Sequence, residues 1–385
     1  MYEHPDFPMD PQRFGVKAGE HVPADKMYAY LLAMVDEFGI KEFLRLNTKV
    51  DVIEKIDEEW ILHCTCTVSG QKKDVTSPKL IIASGNTNKP KLLTYPTHPS
   101  FTPQIIHSAS FPQHFSTIVQ KDKHTLVIGA GKSAWDVSYA CATQPNSTVT
   151  LLIRPGGNGP NWMSPPHVTP FGLWLEKLVF TRFFGWMSPC AWATTSGFEG
   201  AVRRFLHNTR LGRMIVRGFW KVLGDDVIAL NKLHGDSQTE HLVPWRGAFE
   251  VGNCLSIHNY PTSFYELVRE GRVRVLVDEV AAFGEGREVV LKGGKTLQVD
   301  NVVCATGWEV CNTLNFAPEG LDKTLSLPSV RHSLPFPILR SACFLTRPIE
   351  RRTNTLRSLS HRPRNHDSPH AIPDSNTQHE PHEPP

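Results

Sequence analysis

The residues best placed to do chemistry form a glycine turn between a strand and a helix. The run Thr125-Leu-Val-Ile-Gly129-Ala-Gly131-Lys132-Ser133-Ala134 is an apolar strand leading into G-x-G-x-x-A. In such a turn Gly129 permits the tight bend, Gly131 lets the backbone approach a pyrophosphate, and Ala134 lets the following helix close on the strand. Lys132 and Ser133 open that helix, whose free N–H groups and positive dipole end face the phosphates. A helix from Ser133 to about Ala142 and a strand from Ser147 to Ile153 complete a βαβ unit over His124–Arg154. The unit is expected to bind a nicotinamide dinucleotide. An NAD site wants a carboxylate at the end of the second strand for the ribose 2′-hydroxyl. This chain has Arg154 there, which suits the 2′-phosphate of NADPH; the plain alternative is a solvated arginine at a strand end.

At 385 residues the chain is long enough for two domains, or for one nested inside another. A net charge of +3 gives no nucleic-acid surface. The eight cysteines contain no C-x-x-C, and no histidines sit beside them at metal-ligand spacing, so no metal site is expected. The cysteines read as reduced thiols of an intracellular, cytoplasmic protein. Met-Tyr-Glu-His-Pro-Asp at the start lacks the basic and apolar regions of a signal peptide. The most apolar stretch, Phe171 to Trp192, is broken by Glu176, Lys177 and Arg182. It cannot span a bilayer, although it can rest on one as a peripheral contact.

Around the βαβ unit the pattern predicts a helix over Asp25–Phe38 and strands over Leu44–Ile56, Trp60–Thr67 and Lys79–Ala83. The aromatic-rich region 162–245 reads as helical, with one clear helix over Arg203–Leu223. A short helix follows at Phe264–Arg269, then strands at Val273–Val277, Glu288–Leu291 and Val299–Ala305. Beyond 329 the chain is rich in Arg, Pro, His and Ser with no apolar period, and a disordered tail is expected.

Three further pieces gather round the glycine turn. Phe101-Thr-Pro-Gln-Ile-Ile-His107-Ser-Ala-Ser-Phe111 precedes it. Lys79-Leu-Ile-Ile-Ala-Ser84-Gly85 and Val302-Val-Cys-Ala-Thr306-Gly307-Trp308 flank it, each ending in a small-residue turn. With these the chain resembles the flavin-containing monooxygenases, class B flavoprotein oxygenases, which carry F-x-G-x-x-x-H-x-x-x-[Y/F] before their second glycine motif and A-T-G-[Y/F/W] late in the chain. Phe101, His107 and Phe111 match the fingerprint, while Pro103 replaces its glycine. Phe111 in the last place leans toward the N/S-oxygenating branch. The match runs from about Tyr2 to Phe316 and is similar to fungal members that act on lipophilic secondary metabolites.

The resemblance implies two nested Rossmann-like domains of α/β class: a flavin domain over 1–115 and 306–328, and an inserted NADPH domain over 116–305 with its helical insert. It implies FAD and NADPH as cofactors, and Ser84, Gly85, Thr306 and Gly307 against the flavin or at the domain junction. It also implies O₂ activation through a C4a-(hydro)peroxyflavin and oxygenation of a lipophilic small molecule. His107 reads as a structural residue linking the domains, Phe101 and Phe111 as packing residues, and no residue is assigned a catalytic role. The family's first G-x-G-x-x-G, which holds the ADP half of FAD, is not in this sequence. Asn312–Pro318 is expected to run into the tail where relatives have a return strand. An incomplete flavin domain with unpaired sheet edges is therefore expected, and the alternative function is a non-catalytic NADPH-binding remnant. A flavin-free reductase lacks a Tyr-x-x-x-Lys pair beside the site.

Overall fold

Alternating residues near the start of the chain build a small antiparallel meander. Ala24–Glu37 (α1) starts after Pro23, carries Asp25 in its first turn, and buries Tyr30 against Phe7 and Phe14. The Tyr30 hydroxyl donates to the Phe7 carbonyl at 2.6 Å. Thr48–Ile56 (β1) and Glu59–Cys66 (β2) fold back through Asp57, whose φ of 51° suits a tight hairpin turn. Lys72–Ser77 (β3) pairs with β2 as a third strand. The charged Lys72, Lys73 and Asp74 hide it from an apolar pattern, and such charges guard a sheet edge. The computed structural model describes residues 3–325 except 18, 86, 169–171, 189–195, 252–255 and 310–313. The tail expected from 329 and part of the Phe171–Trp192 stretch lie outside the described residues.

Gln104–His107 (β4), His124–Ile128 (β5), Lys132–Ala142 (α2) and Thr148–Ile153 (β6) come next. Then follow Arg182–Met187 (α3), Gly197–Asn208 (α4), Arg210–Leu230 (α5) and Phe264–Arg269 (α6). The chain returns to strands at Val273–Val277 (β7), Val280–Phe283 (β8), Glu288–Leu291 (β9), Thr296–Gln298 (β10), Asn301–Cys304 (β11) and Asn315–Ala317 (β12).

Five of these strands form one parallel sheet in the order β7-β6-β5-β11-β4. Both of its faces are covered, which is why β5 and β6 read as unbroken apolar runs rather than alternating ones. Val127, Leu151, Val275 and Val303 point to α2 and α6, where they meet Trp135, Val137 and Phe264. Leu126, Ile128, Leu152 and Val302 point the other way, onto Phe283, Val289 and Leu291 of the β8-β9-β10 meander. The helices α3 to α5 pack round a core of their own built on Phe184, Leu206, Val216, Trp220 and Leu223.

The chain returns late to its first sheet. β12 pairs in parallel with β1, Val52 opposite Asn315, so residues on either side of the large sheet meet in the order β12-β1-β2-β3. The two connections run side by side: the Lys91 N–H donates to the Gly307 carbonyl at 3.0 Å and the Glu309 N–H to the Lys89 carbonyl at 2.8 Å.

Three expectations need correction. Lys79–Ala83 is not a strand: no described strand pairs with it, and Ile81 is 90% exposed. An apolar run without a neighbouring strand has nothing to complete its ladder. The helix expected over Arg203–Leu223 is two helices, α4 and α5, parted at Thr209. The Thr209 side chain accepts from the Gly212 N–H at 2.9 Å and so caps α5. At Gly212 a Cβ would stand 2.1 Å from the Phe205 carbonyl oxygen, so the close turn requires glycine. Asn312–Pro318 does not run straight into the tail, because Asn315–Ala317 forms β12.

Candidate functional site

The glycines of the β5–α2 turn are needed for different reasons. Gly129 has φ +148°, and a Cβ there would lie 2.3 Å from the Ala305 carbonyl oxygen at the end of β11. Only glycine lets the two strand ends lie so close. Gly131 has an ordinary φ of −83° as the cap of α2, and no atom lies within 4 Å of where its Cβ would be. The space above it is open. Ala134 is fully buried and lets α2 close on the sheet beside Trp135.

A cavity of about 580 Å³ opens over this turn, at the carboxyl ends of β5, β6, β7 and β11. β5 leads to β6 on one side and lies against β11 on the other, so the cavity sits at a switch point, where ligands of open α/β sheets bind. Gly129, Gly131, Arg154, Thr306 and Gly307 all line it, so the structure brings these sequence-predicted residues together. The Arg154 side chain is exposed and makes no ion pair among the described residues.

Lys132, Ser133 and Ala134 stand at the start of α2 but do not line the cavity. The Lys132 ammonium is held by the Asp136 carboxylate, by Asn259 Oδ1 at 3.1 Å and over the Tyr260 ring at 4.6 Å. Ser84 and Gly85 are exposed and lie outside the cavity, Gly85 with φ +71°. Phe101 packs on Phe283 with ring centroids 4.9 Å apart, and Phe111 on Phe115 at 5.7 Å, on opposite sides of the sheet.

His107, at the end of β4, is buried against the cavity wall rather than open to it. Its Nδ1 accepts from the Ala109 N–H at 3.1 Å, which places the proton on Nε2. That Nε2–H donates to the Gly307 carbonyl at 3.0 Å. Burial holds its pKa below the ordinary histidine value, and the bond to Gly307 partly offsets this. Thr306 is fixed as well, its hydroxyl donating to the Lys91 carbonyl at 2.6 Å.

Sequence reasoning missed several lining residues. Gly157 and Gly159 belong to the run Pro155-Gly-Gly-Asn-Gly-Pro160, a visible signal directly after β6. Asp278 and Glu279 follow β7 and could have been found as residues at the carboxyl end of a parallel strand. Tyr95, Trp162 and Arg246 carry no local signal, because folding alone brings them there. Burial raises the pKa of the Tyr95 phenol, so it stays protonated.

Residues 9–169 match the family described as pyridine nucleotide-disulphide oxidoreductase. The chain is 28% identical over 331 residues to an FAD-dependent monooxygenase of Pyrenophora dematioidea, covering 83% of this chain and 59% of that protein. It is 27% identical over 330 residues to the FAD-dependent monooxygenase resA of Aspergillus sclerotiorum, covering 83% of this chain and 56% of the relative. The chain thus spans less than two thirds of the length of these relatives. Its fold is similar to that of OTEMO in complex with FAD and NADP, with a TM-score of 0.54, 16% identity, and 78% of this chain and 62% of that one covered. It is also similar to the polycyclic ketone monooxygenase of Thermothelomyces thermophila, with a TM-score of 0.54, 13% identity, and 78% and 53% of the two chains covered. In sequence the chain is thus similar to fungal FAD-dependent monooxygenases, and in fold to flavin monooxygenases of known structure.

Proposed function

We propose that this chain works as an FAD- and NADPH-dependent monooxygenase that oxygenates a lipophilic small molecule with O₂. The observation that carries this reading is one cavity joining the Gly129–Gly131 turn, Arg154 at the end of β6 and Thr306–Gly307 at the end of β11. The residues fit NADPH. Gly131 leaves open space at the first turn of α2, where backbone N–H groups would hold the pyrophosphate, and the Arg154 guanidinium would take the 2′-phosphate. When bound, NADPH supplies a hydride for flavin reduction.

The described residues form one such cradle, and the ADP half of FAD finds no second one among them. We assign the flavin side to Ser84–Gly85 and Thr306–Gly307. The role of this chain at the latter is to hold the turn still, through His107 and the Thr306 hydroxyl. In this reading residues 1–115 and 306–328 serve the flavin and 116–305 the nicotinamide, with β4 crossing over to join the second sheet.

Membrane contact, the partner expected of the aromatic insert, finds support on α5. Its exposed Leu211, Met214, Ile215 and Val222 run beside Arg210, Arg213, Arg217 and Lys221, an arrangement suited to an anionic lipid surface. No helix among the described residues is long and apolar enough to cross a membrane.

The single cradle also favours a second reading, an NADPH-binding protein without turnover. One experiment separates the two. Purified protein supplied with FAD should turn yellow after desalting and consume O₂ when NADPH is added. Colourless protein that still binds NADPH supports the second reading and overturns the first.

A further inference from the structure

The cavity holds a second arginine, contributed from far along the chain. Arg246 lies just beyond the α3–α5 helices and lines the cavity with Arg154. Two contacts fix its position. The Trp162 indole N–H donates to the Arg246 carbonyl at 2.9 Å. The neighbouring Trp245 ring lies so close to Gly159, whose φ is +79°, that a Cβ there would come within 2.5 Å of it. On the other side of the same loop, the Arg154 Nε lies 3.8 Å from the position a Gly157 Cβ would take. The Gly157-Asn158-Gly159 loop therefore touches Arg154 at one end and Trp245, the neighbour of Arg246, at the other, where Gly159 is what lets the indole approach.

The charges in the cavity are unequally satisfied. Glu279 pairs with Lys292 at 2.5 Å. The Asp278 carboxylate accepts from the Glu279 N–H at 2.7 Å and the Gly293 N–H at 3.1 Å. The acids are thus spent within the protein, whereas neither Arg154 nor Arg246 has an ion-pair partner among the described residues, and both are exposed. Two guanidiniums without an ion-pair partner, lining one cavity with the Gly129–Gly131 turn, suit a dianion.

We infer that Arg246 is a specificity-determining residue that grips the 2′-phosphate of the dinucleotide together with Arg154; this rests on the reading of the cavity as an NADPH site. Only the backbone carbonyl of Arg246 takes part in a described structural bond, so replacing its side chain leaves the fold intact.

The test uses 2′,5′-ADP and 5′-AMP as probes, titrated calorimetrically into the purified full chain, with NADPH as reference. Arg246→Ala is expected to weaken 2′,5′-ADP roughly tenfold to a hundredfold, the loss of one charge-assisted contact, and to leave 5′-AMP within about twofold. Arg246→Lys should restore part of the difference, and the melting temperature of both variants should match the parent. Unchanged 2′,5′-ADP binding in Arg246→Ala, with loss in Arg154→Ala, overturns this inference and leaves the NADPH reading standing. Equal loss of both probes also overturns it, since Arg246 would then serve the 5′-phosphate. A parent chain that binds neither 2′,5′-ADP nor NADPH overturns both.

Discussion

The Nε2–H of His107 donates to the carbonyl of Gly307, 3.0 Å away in space and 200 residues away in the chain. The same carbonyl accepts from the Lys91 N–H at 3.0 Å. One oxygen thus ties the edge strand β4 to both connections between the two sheets. With Nε2–H spent on Gly307 and Nδ1 on Ala109, the ring has no free site for relaying a proton. Its role is to hold the Thr306–Gly307 turn against the cavity.

Loss of that tie should destabilise the protein without removing nucleotide affinity outright. His107→Ala leaves buried groups unpaired and is expected to cost about 1–3 kcal/mol in chemical denaturation. A variant as stable as the parent would show that the bond carries no weight.

The two turn glycines should separate stability from binding. Gly129→Ala pushes a methyl into the Ala305 carbonyl and should lower the melting temperature sharply, by backbone collision and strain together. Gly131→Ala meets no protein atom and should melt like the parent, yet lose most NADPH affinity because its methyl occupies the phosphate approach. Identical behaviour of the two variants in either assay contradicts this assignment.

Stability should fall on mild acidification. Burial lowers the pKa values of His107, His124, His207 and His258. The unfolded chain then binds more protons than the folded one below the ordinary histidine value of about 6.5. Their contribution is complete above that value and is lost as pH falls through the lowered folded values. His63 acts in the opposite sense, its pKa raised chiefly by Asp74 and also by Glu54, but it lies at the surface where solvent screens the pair. Melting temperatures should therefore be flat from about pH 7 to 8 and decline toward about pH 5. A rise over that interval would contradict the burial of these rings.

What was legible in the sequence follows from how local each signal is. The βαβ unit could be read almost residue by residue, because a twice-covered parallel sheet writes itself as apolar runs and the turn writes itself as glycines. β3 stayed hidden because its residues are charged, and the break at Thr209 because a single cap interrupts an otherwise helical run. Lys79–Ala83 misled in the opposite direction: its composition suits a strand, but pairing depends on a neighbour the local sequence does not reveal. At the site, Gly129, Gly131, Arg154, Thr306 and Gly307 were all found from motifs. Arg246 was not, since its place depends on Trp245 meeting Gly159 and on Trp162 reaching back across the insert.

The turn between β5 and α2, with Arg154 beyond β6, is the proposed NADPH site. The direct measurement is titration of the purified chain with NADPH and with NADH, for the parent and for Arg154→Ala. The parent should prefer NADPH by at least about tenfold, and the variant should lose that preference through weaker NADPH binding alone. A parent that binds both cofactors equally, or a variant that weakens both alike, would contradict the assignment.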